Sequence, residues 1–148
     1  MNVLNENKKK RGNVDKPKTF KKMMTTLMNE KDTKKRTRIL VKKGVEYISL
    51  KLEEVALFYT EEKLVFAIDK SRQKYVVDKN LSTLETGLDN LMFFRANRKY
   101  IVNIDFVKGY KPYQKVKLIV DMTLPDLNHS IIVSQETAPS FRKWIAEM

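Results

Sequence analysis

Three places in this chain carry side chains suited to holding or reading a polyanion. The first is Asn97-Arg98-Lys99, a polar cluster between the aromatic pair Phe93-Phe94 and the apolar run Tyr100-Ile101-Val102. Arginine can donate two parallel hydrogen bonds to guanine, and asparagine can pair in the same way with adenine. Lysine anchors phosphate as a point charge. The second place is Lys63, at the tip of an expected hairpin. The third is Gln135 with Thr137, at the start of an expected helix. Main-chain amides at a helix start attract phosphate, and glutamine can read adenine. A polar segment clamped by core on both sides presents its side chains rigidly. Arg98 is therefore expected at the centre of a contact with double-stranded DNA. Each place alone is a weak signal, because a turn lysine or a helix-start glutamine is most often simply solvated. They act together only if the fold gathers them on one face, which spacing does not reveal.

Catalysis needs a nucleophile, a base, a metal or a cofactor cradle. The one histidine, His129, has no partner in sequence, and a structural role is expected for it. The chain has no cysteine, which removes disulfides, thiolate chemistry and Cys-based zinc sites. Its four glycines never fall into a phosphate-loop array. Glu53-Glu54 and Glu61-Glu62 are expected at a strand edge and a turn, without the spacing of an acid/base pair. The expectation is a non-enzyme without metal or cofactor.

The 148 residues suit one ordinary domain, and 42% hydrophobic with 32% charged residues suits a folded body with a charged surface. No apolar run is long enough to span a bilayer, and the first residues have no apolar signal region. The formal charge of +12 points to polyanions, either nucleic acid or an anionic membrane surface. Its distribution is uneven. Residues 1–38 hold 13 Lys and Arg against 4 Asp and Glu, whereas residues 39–148 hold 17 against 14. The bulk charge belongs to an N-terminal arm, and any site on the body must be a local patch.

The elements that must position these side chains read as follows. Residues 1–37 form a basic arm and linker: a disordered start containing Lys8-Lys9-Lys10-Arg11, then a short amphipathic helix after Pro17 with Phe20, Met23, Met24, Leu27 and Met28 on one face. Residues 38–148 form the domain. Arg38–Lys43 and Glu46–Lys51 flank Gly44 as a hairpin, and Val55–Tyr59 and Leu64–Ile68 make another around residues 60–63. Lys74–Asp78 is a fifth strand. Asn80 caps a helix over about 80–91, with Leu81, Leu84, Leu88 and Leu91 on one face. Later strands are Phe106–Tyr110, then Lys115–Asp121 after a turn at Lys111-Pro112, and Ser130–Ser134. A terminal helix covers 135–147, with Ser134 as N-cap and Phe141, Trp144 and Ile145 facing inward. Close-set strands with short turns predict a mainly β, multi-stranded antiparallel domain with two short helices.

Residues 38–147 resemble the LytTR-type DNA-binding domain of bacterial transcription regulators. The resemblance is carried by Ile39-Leu40-Val41-Lys42-Lys43-Gly44, Val55–Tyr59, Phe93–Asn103, Val133-Ser134-Gln135-Glu136 and Phe141-Arg142-Lys143-Trp144, in the family's order. It implies an elongated, mostly β fold that inserts loop side chains into successive major grooves, often at direct-repeat sites bound by two copies. By position, Lys63, Arg98 and Gln135 match the family's base-contacting residues. Many members carry Arg where this chain has Gln135, so the base preference there shifts from G towards A. Lys99 and Lys115 are expected as phosphate anchors, with Asn97 and Thr137 in support. Members of two-component systems commonly carry a phosphoacceptor receiver domain upstream. Residues 1–37 are too short for one, so a stand-alone protein or part of a longer response regulator is expected, working in the cytoplasm at the nucleoid. The alternative is a membrane-surface or protein-interaction module using the amphipathic helix. A non-specific RNA binder is a lesser one.

Overall fold

The computed structural model describes residues 36–147. The expected basic arm and its amphipathic helix lie outside them.

Burial alternates along the first strand, although its apolar run Ile39-Leu40-Val41 does not. Strand β1 (Arg38–Lys43) pairs in full register with β2 (Glu46–Lys51). Ile39 and Val41 are buried while the residues between them face out. Gly44 takes φ +62, the conformation that the first position of a tight II′ hairpin turn demands. A 3-10 turn at Leu52–Glu54 leads to β3 (Val55–Glu61), which forms a hairpin with β4 (Leu64–Asp69). Strand β5 (Lys74–Val77) lies on the far side of β4. Asn80 caps helix α1 (Leu81–Gly87), its side chain accepting from the Thr83 amide at 2.7 Å. Strands β6 (Phe93–Arg95) and β7 (Tyr100–Asn103) close around the polar cluster. These strands form one seven-stranded antiparallel sheet in the order β2-β1-β5-β4-β3-β7-β6.

A second 3-10 turn (Ile104–Phe106) leads to a smaller sheet, ordered β10-β9-β8, of β8 (Val107–Tyr113), β9 (Lys117–Met122) and β10 (Ile131–Val133). Helix α2 (Ala138–Ala146) ends the domain. Because strand neighbours point to opposite faces, Phe58 joins one core and Leu57 and Tyr59 the other. The first core packs Leu81 and Leu84 of α1, and Leu88 just after it, against the large sheet. The second packs the small sheet and α2, through Leu118, Ile131, Phe141 and Trp144, against the opposite face. Asn103 is fully buried, and its amide donates to the Val55 carbonyl at 2.8 Å while its oxygen accepts from the Asp105 amide. That explains a polar residue at the end of an apolar strand.

The mainly β antiparallel architecture with two helices is as predicted, and three local boundaries differ. The first helix stops at Gly87, not near residue 91. Asp89 turns the chain there: its side chain accepts from the Leu91 amide and its carbonyl from Met92 and Phe93, leaving Leu91 63% exposed. The last helix starts at Ala138, not 135, because residues 134–137 form a turn closed by the Ser134 carbonyl on Thr137 and Ala138. Ser134 braces that turn, and Thr137 takes the N-cap position. The expected turn at Lys111-Pro112 is strand: β8 continues to Tyr113 and the chain reverses at residues 114–116. Proline is tolerated because β8 is an edge strand, where its missing N–H can face away from the ladder.

Candidate nucleic-acid interface

Lys63 sits in the two-residue turn between β3 and β4, where the strands end in the pair Glu61–Leu64. Glu62 and Lys63 both take left-handed backbone, at φ 52 and 69, which this hairpin needs and which Asn or Gly would adopt more easily. Below the tip, the Thr60 hydroxyl bonds the Leu64 carbonyl at 2.9 Å. Lys63 is exposed, and its ammonium has no hydrogen bond or ion pair among the described residues.

The cluster Asn97-Arg98-Lys99 is the turn between β6 and β7, closed by the Ala96 amide on the Tyr100 carbonyl at 2.9 Å. The Asn97 side-chain oxygen accepts from the amides of Lys99 (2.7 Å) and Tyr100 (3.0 Å). Its amide nitrogen donates to the Ile132 carbonyl on β10 at 2.7 Å. Arg95 braces the same turn from below. Its Nε donates to the Asn97 carbonyl (2.7 Å) and its Nη2 to the Arg98 carbonyl (2.9 Å), while Nη1 meets Glu85 Oε1 of α1 at 3.0 Å. The backbone of the turn is thus fixed from several sides, whereas the Arg98 guanidinium has no bond among the described residues.

The two turns are neighbours. The ladder of β3 and β7 ends in Tyr59 opposite Tyr100, and the Thr60 amide then donates to the Lys99 carbonyl at 3.0 Å. Lys63, Lys79, Arg95 and Arg98 line a shared cleft of about 510 Å³, with Asp78 its only carboxylate. Arg98 and Lys99 also border a second opening of about 680 Å³, with Glu61, Asn97 and His129. Arg98 therefore stands on the ridge between the two.

His129 fills a structural place. Its Nδ1 lies 2.7 Å from the Tyr100 hydroxyl and its ring packs on Tyr59 at 4.4 Å. Burial, then the nearby Lys99, pushes its pKa below the ordinary imidazole value, with Lys74 adding to the fall and Glu61 opposing it. Burial likewise raises the Tyr100 phenol, with Tyr59 and Glu61 adding to the rise.

The remaining expected site residues are placed apart. Gln135 is exposed in the turn before α2 and lines neither opening, but it follows by three residues the Ile132 carbonyl that Asn97 holds. Thr137 borders a different cleft with Glu85, Arg95 and Trp144, and its hydroxyl meets the Ser134 hydroxyl at 3.2 Å. Lys115 lies in the β8–β9 turn at φ 69 and joins none of these clefts. Two residues were not singled out from the sequence. Arg95 had the signal of lying inside the same motif, and Lys79 that of a cation one residue before a helix cap. Among the described residues no group of His, Asp and Glu could hold a metal, and no helix is long and apolar enough to cross a membrane.

Residues 45–146 match the family model of the LytTr DNA-binding domain. Among solved structures, the chain is similar to the LytTr DNA-binding domain of a methyl-accepting/DNA response regulator from Bacillus cereus. The identity is 22% and the TM-score 0.65, over 74% of this chain and 97% of that one. That likeness is one of fold. No curated protein matches the chain in sequence.

Proposed function

The chain belongs to the LytTR family of DNA-binding domains, and from that premise we propose that it recognises specific double-stranded DNA sites through its loops and not through a recognition helix. DNA binding by a transcription regulator, and not an enzymatic reaction, is what the family does. Arg98 reads a base edge in the major groove, Lys63 meets the same DNA from the adjoining turn, and Gln135 contacts a base further along. Lys99 and Lys115 anchor phosphates. Asn97 and Thr137 support the interface from within the fold, because their polar atoms are already bonded to the protein. Direct-repeat sites taken by two copies, an upstream receiver or partner protein, and a working place in the cytoplasm at the nucleoid complete the reading.

The observation that carries it is an unpaired guanidinium at the tip of a turn whose backbone is held on several sides. Among the described residues the Arg98 guanidinium makes no ion pair or hydrogen bond, so it is free to meet a ligand. Selection from random duplex DNA should yield a preferred site. Arg98→Ala should then weaken that site by about 1–3 kcal/mol and flatten discrimination among sites. Equal weakening of every duplex would reduce Arg98 to a phosphate contact.

A further inference from the structure

Resting on Arg98 as the base-reading residue, we infer that Arg95, oriented by Glu85, is the positioning residue that gives Arg98 its specificity. Arg95 is mostly enclosed, with 23% of its side chain exposed, and it points three N–H groups in three directions. Two of them grip consecutive carbonyls, those of Asn97 and Arg98. Gripping the carbonyl on each side of the Arg98 Cα fixes the peptide planes from which its side chain departs. A bidentate base contact has a narrow angular tolerance, so the direction of departure matters more than its reach.

The third N–H group explains why the residue is arginine. Glu85 lies on α1, which the first core seats against the large sheet through Leu81 and Leu84. The carboxylate therefore ties the turn to a packed element, and the guanidinium is the rigid joint between them. Lysine would keep the charge and lose the planar fork that meets several acceptors at once. Asn97 supplies the complementary tie to Ile132, so the tip is held between α1 and β10. Loosening the Arg95 joint would leave Arg98 present, charged and close to DNA, but free to swing.

Arg95→Lys, Glu85→Gln, Arg98→Ala and the double variant Arg95→Lys with Arg98→Ala separate the possibilities. Each full-length protein is titrated against the selected duplex and an unrelated duplex, with thermal melting recorded alongside. Arg95→Lys is expected to reduce the ratio of the two affinities by about tenfold while binding to unrelated DNA stays within about twofold. Glu85→Gln should shift the ratio in the same direction by less. The double variant should discriminate no worse than Arg98→Ala alone, because both changes act on one contact. If Arg98→Ala itself leaves the ratio unchanged, base reading by Arg98 is wrong and the positioning role falls with it. If Arg98→Ala flattens the ratio but Arg95→Lys and Glu85→Gln do not, the positioning role alone is overturned. Additive losses in the double variant, or equal weakening of both duplexes by Arg95→Lys, would also overturn it. Should Arg95→Lys melt early, Glu85→Gln carries the comparison, since its carboxylate is about half exposed.

Discussion

The turn at Glu62-Lys63 and the turn at Asn97–Lys99 meet through the Thr60–Lys99 hydrogen bond, yet they are held in different ways. At the first, the strand ladder and one bond from the Thr60 hydroxyl below the tip hold the hairpin, no side chain bonds the tip residues themselves, and two residues with full side chains adopt left-handed φ. At the second, Asn97 and Arg95 bond the main chain from inside, and the backbone tip needs no left-handed residue. A turn strained but unbraced gives a contact that tolerates movement, which suits a lysine on phosphate. A turn braced by side chains gives a fixed direction, which suits an arginine on a base edge. The sequence put Lys63 with Arg98 among the base-contacting residues; the difference in support points instead to a looser contact at Lys63.

That contrast can be broken at either turn. The largest expected effect is Asn97→Ala, which removes the side-chain bonds to Lys99, Tyr100 and Ile132. Chemical denaturation should show a loss of about 2 kcal/mol, as expected when three hydrogen bonds to exposed and partly buried backbone groups are lost. A variant as stable as the parent would mean that Arg95 braces the turn unaided. Next, replacing Glu62-Lys63 by Asn-Gly should stabilise the domain by about 1 kcal/mol, because those residues accept left-handed φ with less strain. No gain would mean that the strain at this tip is relieved in some other way. Lys63→Ala should weaken all duplexes alike and lower the slope of log affinity against log salt by about 1. A change in site preference would instead give Lys63 a share in base reading.

The smallest expected effect is one of pH. The folded domain holds His129 below its ordinary pKa of about 6.5. The unfolded chain therefore takes up a proton first as pH falls. Above that value His129 contributes nothing to the pH dependence, and below it stability declines until the folded histidine is protonated too. Between pH 7 and 5.5, His129→Gln should show a shallower fall in stability than the parent. Parallel curves would mean that His129 does not titrate differently on folding.

Much of the fold was legible because its signals are local. The short apolar run Ile39-Leu40-Val41, Gly44 at a tight turn and Asn80 before an apolar helical face each declare one element. The order of strands in the large sheet was not legible, since the pairing of Lys42 with Val76 depends on packing between distant segments. Pro112 misled for a related reason. It reads as a turn until the strand carrying it is known to lie at an edge. For the site, residue types marked Lys63 and Arg98 as candidates but could not show that they are neighbours, and the structure places both on one cleft. What was not legible is who holds whom. Asn97 reads in the sequence as a contact and is a brace, and Arg95, which nothing in the sequence sets apart within its motif, bonds the turn to α1. Such roles depend on carbonyls brought close only by folding.

Pro112 has a consequence beyond its own strand. The outer side of β8 is an open edge, and an open edge invites a strand from another molecule to dock and start an aggregate. Pro112 removes one of the donors such docking would use, and Lys108 and Lys111 add like charges along the same strand. Pro112 and the two lysines thus disfavour edge-to-edge pairing of one copy with another along this strand.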